Sequence, residues 1–293
     1  MHDEAKREPL RPVRVQLRAS APEKIGDVSR ALSLWERLST NSLALRIFIL
    51  TLIAVAWQVY ASIVHNALLF PTFTDVLDSL WRETRNGVLP DRALTSMRLL
   101  LTGYVIGIVC AALLSTVAVM TRLGSALLST LTAMFNPLPA IALLPLALLW
   151  FGLGMPSIVF VLVHAVLWPL ALNTHSGFLS VSETLRMTGQ NCGLRGIRYV
   201  IKLLIPAAFP SILTGCKIAW AFAWRTLIAA ELVFGISVRA GGIGWFIFER
   251  RNQLETADVF AGLFVIILIG LLVESLIFRT LEHVTVRRWG MQR

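Results

Sequence analysis

The chain has 293 residues, a formal net charge of +10, 56% hydrophobic residues and a mean hydropathy of +0.71. Soluble domains hold about 45–50% apolar residues even by a broader count that includes Gly, so the composition excludes an ordinary soluble domain and points into a bilayer. Three cysteines, Cys110, Cys192 and Cys216, have neither disulfide nor metal-site spacing and read as small apolar residues.

Residues 1–44 form a basic tail, with Pro9, Pro12 and Pro22 in an irregular first half. It has no apolar stretch of signal-peptide length near its start. Val28, Leu32, Trp35 and Leu38 share one side of a short amphipathic helix, read as lying in the headgroups. A contact to a partner protein is the alternative.

Six apolar runs follow, near Leu45–Val64, Leu99–Met120, Leu127–Gly152, Ser157–Asn173, Ile212–Val233 and Val259–Phe278. Each is close to the ~20 residues that cross a bilayer. The prediction is an all-α membrane protein of six transmembrane helices, with the permease-like body over 45–293. Of the 27 Lys and Arg, 18 fall on the tail together with Arg46 at its junction with the first span, the 121–126 turn, the 174–211 loop and the C-terminal end. Six fall on the opposite side and three more, Arg98, Lys217 and Arg225, within or at the edges of other spans. Positive charge marks the cytoplasmic side. Both termini are therefore expected in the cytoplasm, and the basic charge is a topology signal rather than a nucleic-acid one.

After the first span, Val76, Leu77, Leu80 and Trp81 share a face of a short outer helix, with Asp75, Asp78 and Glu83 on or near the other. This reads as a helix on the outer surface, either covering the bundle or docking a delivery protein. The second span carries Gly103 and Gly107, four apart, which lets helices approach closely in lipid. The third holds Asn136, Pro137, Pro139 and Pro145. Broken backbone at membrane depth survives inside protein or beside a watery cavity. A pathway or hinge element is the reading, a kinked packing helix the alternative. His164 and His175 lie on one side of the fourth span, about 16 Å apart in rise and too far for a shared metal. His164 reads as a packing residue.

The fifth span places Lys217, Trp220, Trp224 and Glu231 on one helical face, with Arg225 one step round. Ionisable groups within a span face a bundle interior, a cavity or one another. The sharper reading has Arg225, with Lys217 and the two indoles, along the route of a small anion. The plainer one pairs Arg225 or Lys217 with Glu231 or a helix end. Candidate pathway residues are thus Arg225, Trp224, Trp220, Lys217, Glu231, Asn136 and Pro139. Gly241, Gly242 and Gly244 before Trp245 read as a flexible turn or a re-entrant gate, and Arg287-Arg288-Trp289 as an interfacial anchor.

The loop Ser180–Gly215 sits between the fourth and fifth spans. Ser180-x-x-Glu183 is a capping box, and Val181, Leu185, Thr188 and Cys192 follow at helical spacing, off which lie Glu183, Arg186 and Gln190. Gly193 closes this helix, and a second runs from Leu194 to Leu204, where Pro206 ends or kinks it.

This loop resembles the cytoplasmic coupling loop, the EAA loop, of ATP-binding-cassette importer permeases. The family pattern is Glu-Ala-Ala, a Gly six residues after the Glu, and an apolar-Pro pair thirteen residues further on. Gly193 and Ile205-Pro206 fit; Met187, Thr188 and Gly189 then stand where Glu-Ala-Ala would, so the acid is missing and Glu183 is a candidate substitute. A second register, with Glu183 and Gly189, leaves the proline four residues too far. Asn136-Pro-Leu-Pro139, Leu144-Pro-Leu146, Trp150-Phe-Gly152, Pro206 to Gly215 and Ala229-Ala-Glu231 resemble the nitrate, taurine and sulfonate branch.

The resemblance implies a type I importer permease in a bacterial cytoplasmic membrane, working as a homodimer. Its implied partners are two ATPase subunits, which would carry the ATP and Mg, and an extracytoplasmic solute-binding protein. It implies coupling contacts over 180–206, through Ser180, Glu183, Leu185, Arg186, Met187, Thr188, Gly189, Gly193 and Pro206. No phosphate loop, HExxH, G-x-S-x-G or Cys/His cluster occurs in the chain, so no catalytic, cofactor or metal site is expected in it. A stand-alone secondary transporter, and a membrane enzyme using His164 or His175, are the alternatives; the first would favour two similar halves and several buried carboxylates.

Overall fold

The computed structural model describes residues 42–234 and 241–287. The basic tail, its Val28–Leu38 stretch and Arg288-Trp289 of the expected anchor lie outside the described residues. Two compact units divide the chain, residues 1–53 and 54–293. In the first, residues 42–53 are the opening half of helix α1 (Ser42–Val64), an apolar and largely exposed surface suited to lipid.

In the second unit, Trp57 of α1 anchors an aromatic group. Its ring lies 5.2–5.9 Å from Phe70, Phe73 and Phe260, and its Nε1 donates to the Pro71 carbonyl at 3.0 Å. Helix α2 (Phe73–Arg85) opens on a capping box between Thr72 and Asp75. Its buried face is Val76, Ser79 and Glu83, while Leu77 and Trp81 are exposed. The sequence placed Glu83 on the polar side; ion pairing draws it inward instead. Glu83 and Asp258 are buried beside Arg82 and Arg250, with Arg82–Asp258 at 2.7 Å, Arg250–Glu83 at 3.3 Å and Arg250–Asp258 at 3.5 Å. Ser79 donates to Asp258, and Arg250 also pairs with Glu255. Burial alone would lower the Arg250 pKa, but the hydrogen bond and charge of Glu255, then Glu83 and Asp258, raise it.

Helix α3 (Val88–Met120) has 33 residues, eleven more at its start than the apolar run. Gly87 turns the chain at φ 79°, and Pro90 fits a first turn that needs no N–H there. Gly103 and Gly107 lie flush against Leu162 and Val166: an added Cβ would stand 2.5 and 2.6 Å from their Cβ atoms. The spacing expected to bring helices together does so, against α6 (Met155–Leu179).

The third apolar run is not one straight crossing. Helix α4 (Arg122–Phe135) ends at Asn136, a 3-10 turn covers Ala140–Leu143, and α5 (Leu144–Phe151) follows at an 88° bend. At 14 residues α4 rises only about 21 Å. Pro137 and Pro139 lack the N–H groups that would continue it.

Helix α10 (Phe209–Phe234) packs along α6, and α11 (Ile243–Asn252) lies across the end of α10. Helix α12 (Thr256–Leu272) continues through a π turn at Val273–Phe278. Among the described residues five helices are long and apolar enough to cross a membrane, six if the bent α4–α5 pair counts as one. The described residues form helices and turns without strands. The core runs between α3, α6, α10 and α11, through Leu100, Leu162, Val166, Leu227, Ile243 and Phe246.

Candidate functional site

Two places gather the residues singled out from sequence: the loop between α6 and α10, and a cavity beside the α4–α5 break.

In the loop, α6 runs to Leu179 and consumes Ser180, whose N–H donates to Ser176 O and whose hydroxyl donates to Gly177 O at 2.9 Å. The capping box expected at Ser180 and Glu183 therefore does not form. Ser182 occupies the N-cap of α7 (Glu183–Asn191), without a side-chain cap. Arg186 folds back over the end of α6: Nε donates to Val181 O at 3.0 Å and Nη2 to Phe178 O at 2.6 Å. A cation on the free carbonyls of a helix C-terminus is favourable in charge and in hydrogen bonding.

The buried side of this region is Val181 and Gly189. Val181 joins Phe178, Val200, Leu203, Leu204 and Ala208 in a small core. Gly189 receives the Leu203 side chain, whose Cδ1 would stand 2.2 Å from an added Cβ. Leu185, Thr188 and Cys192, which the spacing puts on one stripe with Val181, are exposed, as are Glu183 and Met187. Two contacts set the side that faces inward: the Arg186 clasp onto the end of α6, and Gly189, small enough to meet Leu203.

Gly193 closes α7 as predicted, at φ 78°. Leu194 N–H donates to Gly189 O at 3.0 Å and Gly193 N–H to Gln190 O at 2.9 Å. These are the two bonds of a Schellman closure. Helix α8 (Gly196–Tyr199) leads into a π turn at Val200–Leu204, then α9 (Ile205–Ala207). The wider π turn makes room for the ring of Pro206, which would strike a carbonyl of a regular turn. The break comes at Ala208, two residues beyond Pro206.

The cavity has a volume of about 380 Å³. Its walls come from α4 and the break (Phe135 to Ile141), from α6 (His164, Trp168) and from α10 (Phe222, Arg225, Thr226). Asn136 and Pro139 are both here. Phe135 stacks on Trp168 at 4.9 Å and 18°, and His164 stands edge-on to both at 6.1–6.2 Å. The Trp168 Nε1, both His164 ring nitrogens and Asn136 Oδ1 are buried without a hydrogen-bond partner among the described residues. Arg225 is exposed on the cavity wall, and its guanidinium has no ion pair or hydrogen bond to another described residue. Among the described residues no Asp or Glu lines the space.

The other four candidates on α10 turn away from it. Lys217 pairs with Glu282. Trp220 packs on Tyr104 at 5.2 Å, beside a second, apolar cavity of about 580 Å³. Trp224 is buried toward Gly270. Glu231 is buried and holds three elements together. It accepts from Ser96 Oγ at 2.8–2.9 Å and from Gly244 N–H at 2.9 Å, while Ser96 Oγ accepts from Ile243 N–H at 2.9 Å. Gly242 and Gly244 are glycines because a Cβ there would strike Ser96 and Glu231. Sequence reading missed this clamp, since Ser96 lies 135 residues from Glu231 and carries no local signal.

His175 takes a hydrogen bond with Ser125 at 2.8 Å, apart from His164. Among the described residues no group of three or more His, Cys, Asp or Glu is placed to hold a metal.

A helical membrane body with a largely apolar cavity, one arginine on its wall and a break in the adjoining span suits a transport protein. The chain matches the family of binding-protein-dependent transport system inner membrane components over residues 103–289, and it belongs to that family. It is 29% identical to a putative ABC transporter permease of Methanocaldococcus jannaschii, over 81% of this chain and 90% of that protein. It is also 29% identical to a putative aliphatic sulfonates transport permease of Escherichia coli, over 76% and 83%. A nitrate import permease of Leptolyngbya laminosa is 28% identical over 62% and 64%. The chain is accordingly an inner-membrane permease subunit of an ATP-binding-cassette importer, and not itself an enzyme. Permeases of this family act with ATPase and solute-binding partners.

Proposed function

We propose that this permease carries a small organic anion, and that Arg225 lies on its route. The observation that carries this reading is the Arg225 guanidinium, unpaired among the described residues, on a cavity wall to which those residues bring no carboxylate. A cation at membrane depth is costly unless something compensates it. An anionic solute is a partner of the right sign. The relatives named for sulfonate and nitrate transport agree with an anion.

The permease works as a homodimer with six spans per copy, both termini and the α7 loop in the cytoplasm. Each copy offers one α7, and two copies serve two ATPases, where ATP and Mg are held. The exposed face of α7, with Leu185, Met187, Thr188 and Cys192, is the ATPase contact. Met187 in place of an acid makes this contact apolar, and Glu183 supplies the nearby charge. The Arg186 clasp then passes movement of α7 to the end of α6, which forms one wall of the cavity.

The test is anion-stimulated ATP hydrolysis in lipid vesicles holding this chain, its ATPase and its solute-binding protein. Small sulfonates, carboxylates and nitrate are screened. One anion is expected to stimulate, and Arg225→Ala to abolish the stimulation while the complex stays assembled. Stimulation untouched by Arg225→Ala removes that residue from the route.

A further inference from the structure

We infer that the cavity selects an organic monoanion with a flat apolar body and no ammonium group, and that it discriminates against nitrate and taurine. This rests on the anion-import reading above and narrows it.

Three features of the cavity combine. The first is size: about 380 Å³ falls within the ~300–1,000 Å³ of pockets that enclose organic ligands. Nitrate, with four heavy atoms, leaves most of that space unfilled and most of its own hydration unreplaced.

The second is the sign and count of charge. Among the described residues Arg225 is the one Lys or Arg on the lining, and no Asp or Glu lies there. A sulfonate or carboxylate meets its counter-ion there. An ammonium on the same molecule meets a cation of like charge and no acid, so it is desolvated without compensation. The His164 ring nitrogens and the Asn136 amide carry no negative charge and do not replace a counter-ion. A zwitterion such as taurine therefore loses on one end what it gains on the other.

The third is the wall. Phe135 and Trp168 lie nearly parallel at 4.9 Å, with the His164 ring edge-on to both and Phe222 also on the lining. Flat rings add stacking and edge contacts that an alkyl chain does not make. Trp168 is 91% buried and covered on one face by Phe135, so it gives the wall its rigid ring edge, while the exposed Phe222 ring supplies open aromatic surface on the lining.

The experiment uses the complete permease–ATPase complex in nanodiscs. Naphthalene-2-sulfonate is the fluorescent probe, and its binding is titrated and then competed. Benzenesulfonate is expected to displace it, hexanesulfonate at least about tenfold less well, and taurine and nitrate not at all at a hundredfold excess over benzenesulfonate. Arg225→Gln should weaken probe binding at least about tenfold. Trp168→Leu should narrow the gap between benzene- and hexanesulfonate.

Displacement by taurine or nitrate at the benzenesulfonate concentration overturns the inference. So does full probe binding in Arg225→Gln, or failure of the probe to bind while the ATPase stays attached. Loss of the ATPase from the wild-type complex is a separate readout, and that result counts against the importer assembly instead.

Discussion

Removing the Glu231 carboxylate should destabilise the permease more than any change on the cavity wall. The carboxylate is 4% exposed and accepts hydrogen bonds from Ser96 Oγ and Gly244 N–H. A buried donor left without its acceptor costs about 1–3 kcal/mol. Glu231→Ala loses two donors' worth and strands the Gly244 N–H in a dry site, so the expected loss is about 3–5 kcal/mol. Glu231→Gln keeps one carbonyl for Gly244. Its amide meets Ser96 Oγ with a donor where the carboxylate presented an acceptor, which leaves the Ser96 hydroxyl without its partner, so about 1–2 kcal/mol should be lost. Reversible unfolding in mixed micelles, titrated with a denaturing detergent, reads these differences. Wild-type stability in Glu231→Ala would refute the clamp. So would equal losses in both variants, because the reasoning depends on the acceptor and not on the volume.

Gly107→Leu should prevent α3 and α6 from closing, since even a Cβ would come 2.6 Å from Val166 Cβ; loss of the folded monodisperse peak on gel filtration checks this. Arg186→Ala should leave the ATPase bound and hydrolysing while transport per ATP falls at least about tenfold, the equivalent of one charge-assisted hydrogen bond. Arg186→Lys should not restore transport, because the two carbonyls of Phe178 and Val181 are held by separate guanidinium nitrogens. Gly193→Ala should cost about 1–2 kcal/mol through the left-handed backbone it must adopt at φ 78°, read by the same detergent titration.

Much of the scaffold is readable from local pattern, because a span announces itself by a run of apolar residues and a helix end by a glycine. The runs at 99–120 and 212–233, the close approach at Gly103 and Gly107, and the Gly193 closure all appear in the structure. Periodicity also placed Lys217, Trp220, Trp224 and Glu231 on one face, apart from Arg225. What it could not give is which face meets the cavity. That depends on Tyr104, Ser96 and Glu282, each distant in sequence. The three prolines marked the third run as broken, but an 88° turn between α4 and α5 comes from what each half packs on. Spacing joins Leu185 and Thr188 to Val181 in one stripe but does not say which side of α7 faces in; Arg186 and Gly189 decide that through contacts with Phe178 and Leu203. On the other end of the molecule, Ser79 and Glu83 gave no sign of the buried ion cluster with Asp258 and Arg250.

Uptake by sealed vesicles tests the central claim most directly. The anion that stimulates hydrolysis is supplied with the solute-binding protein on one side, and ATP on the other. The vesicles are prepared with and without the ATPase, and with wild-type or Arg225→Ala permease. The account predicts accumulation only where wild-type permease, ATPase, ATP and binding protein are all present. Accumulation without the ATPase, driven by an imposed ion gradient, would contradict it and identify a secondary transporter.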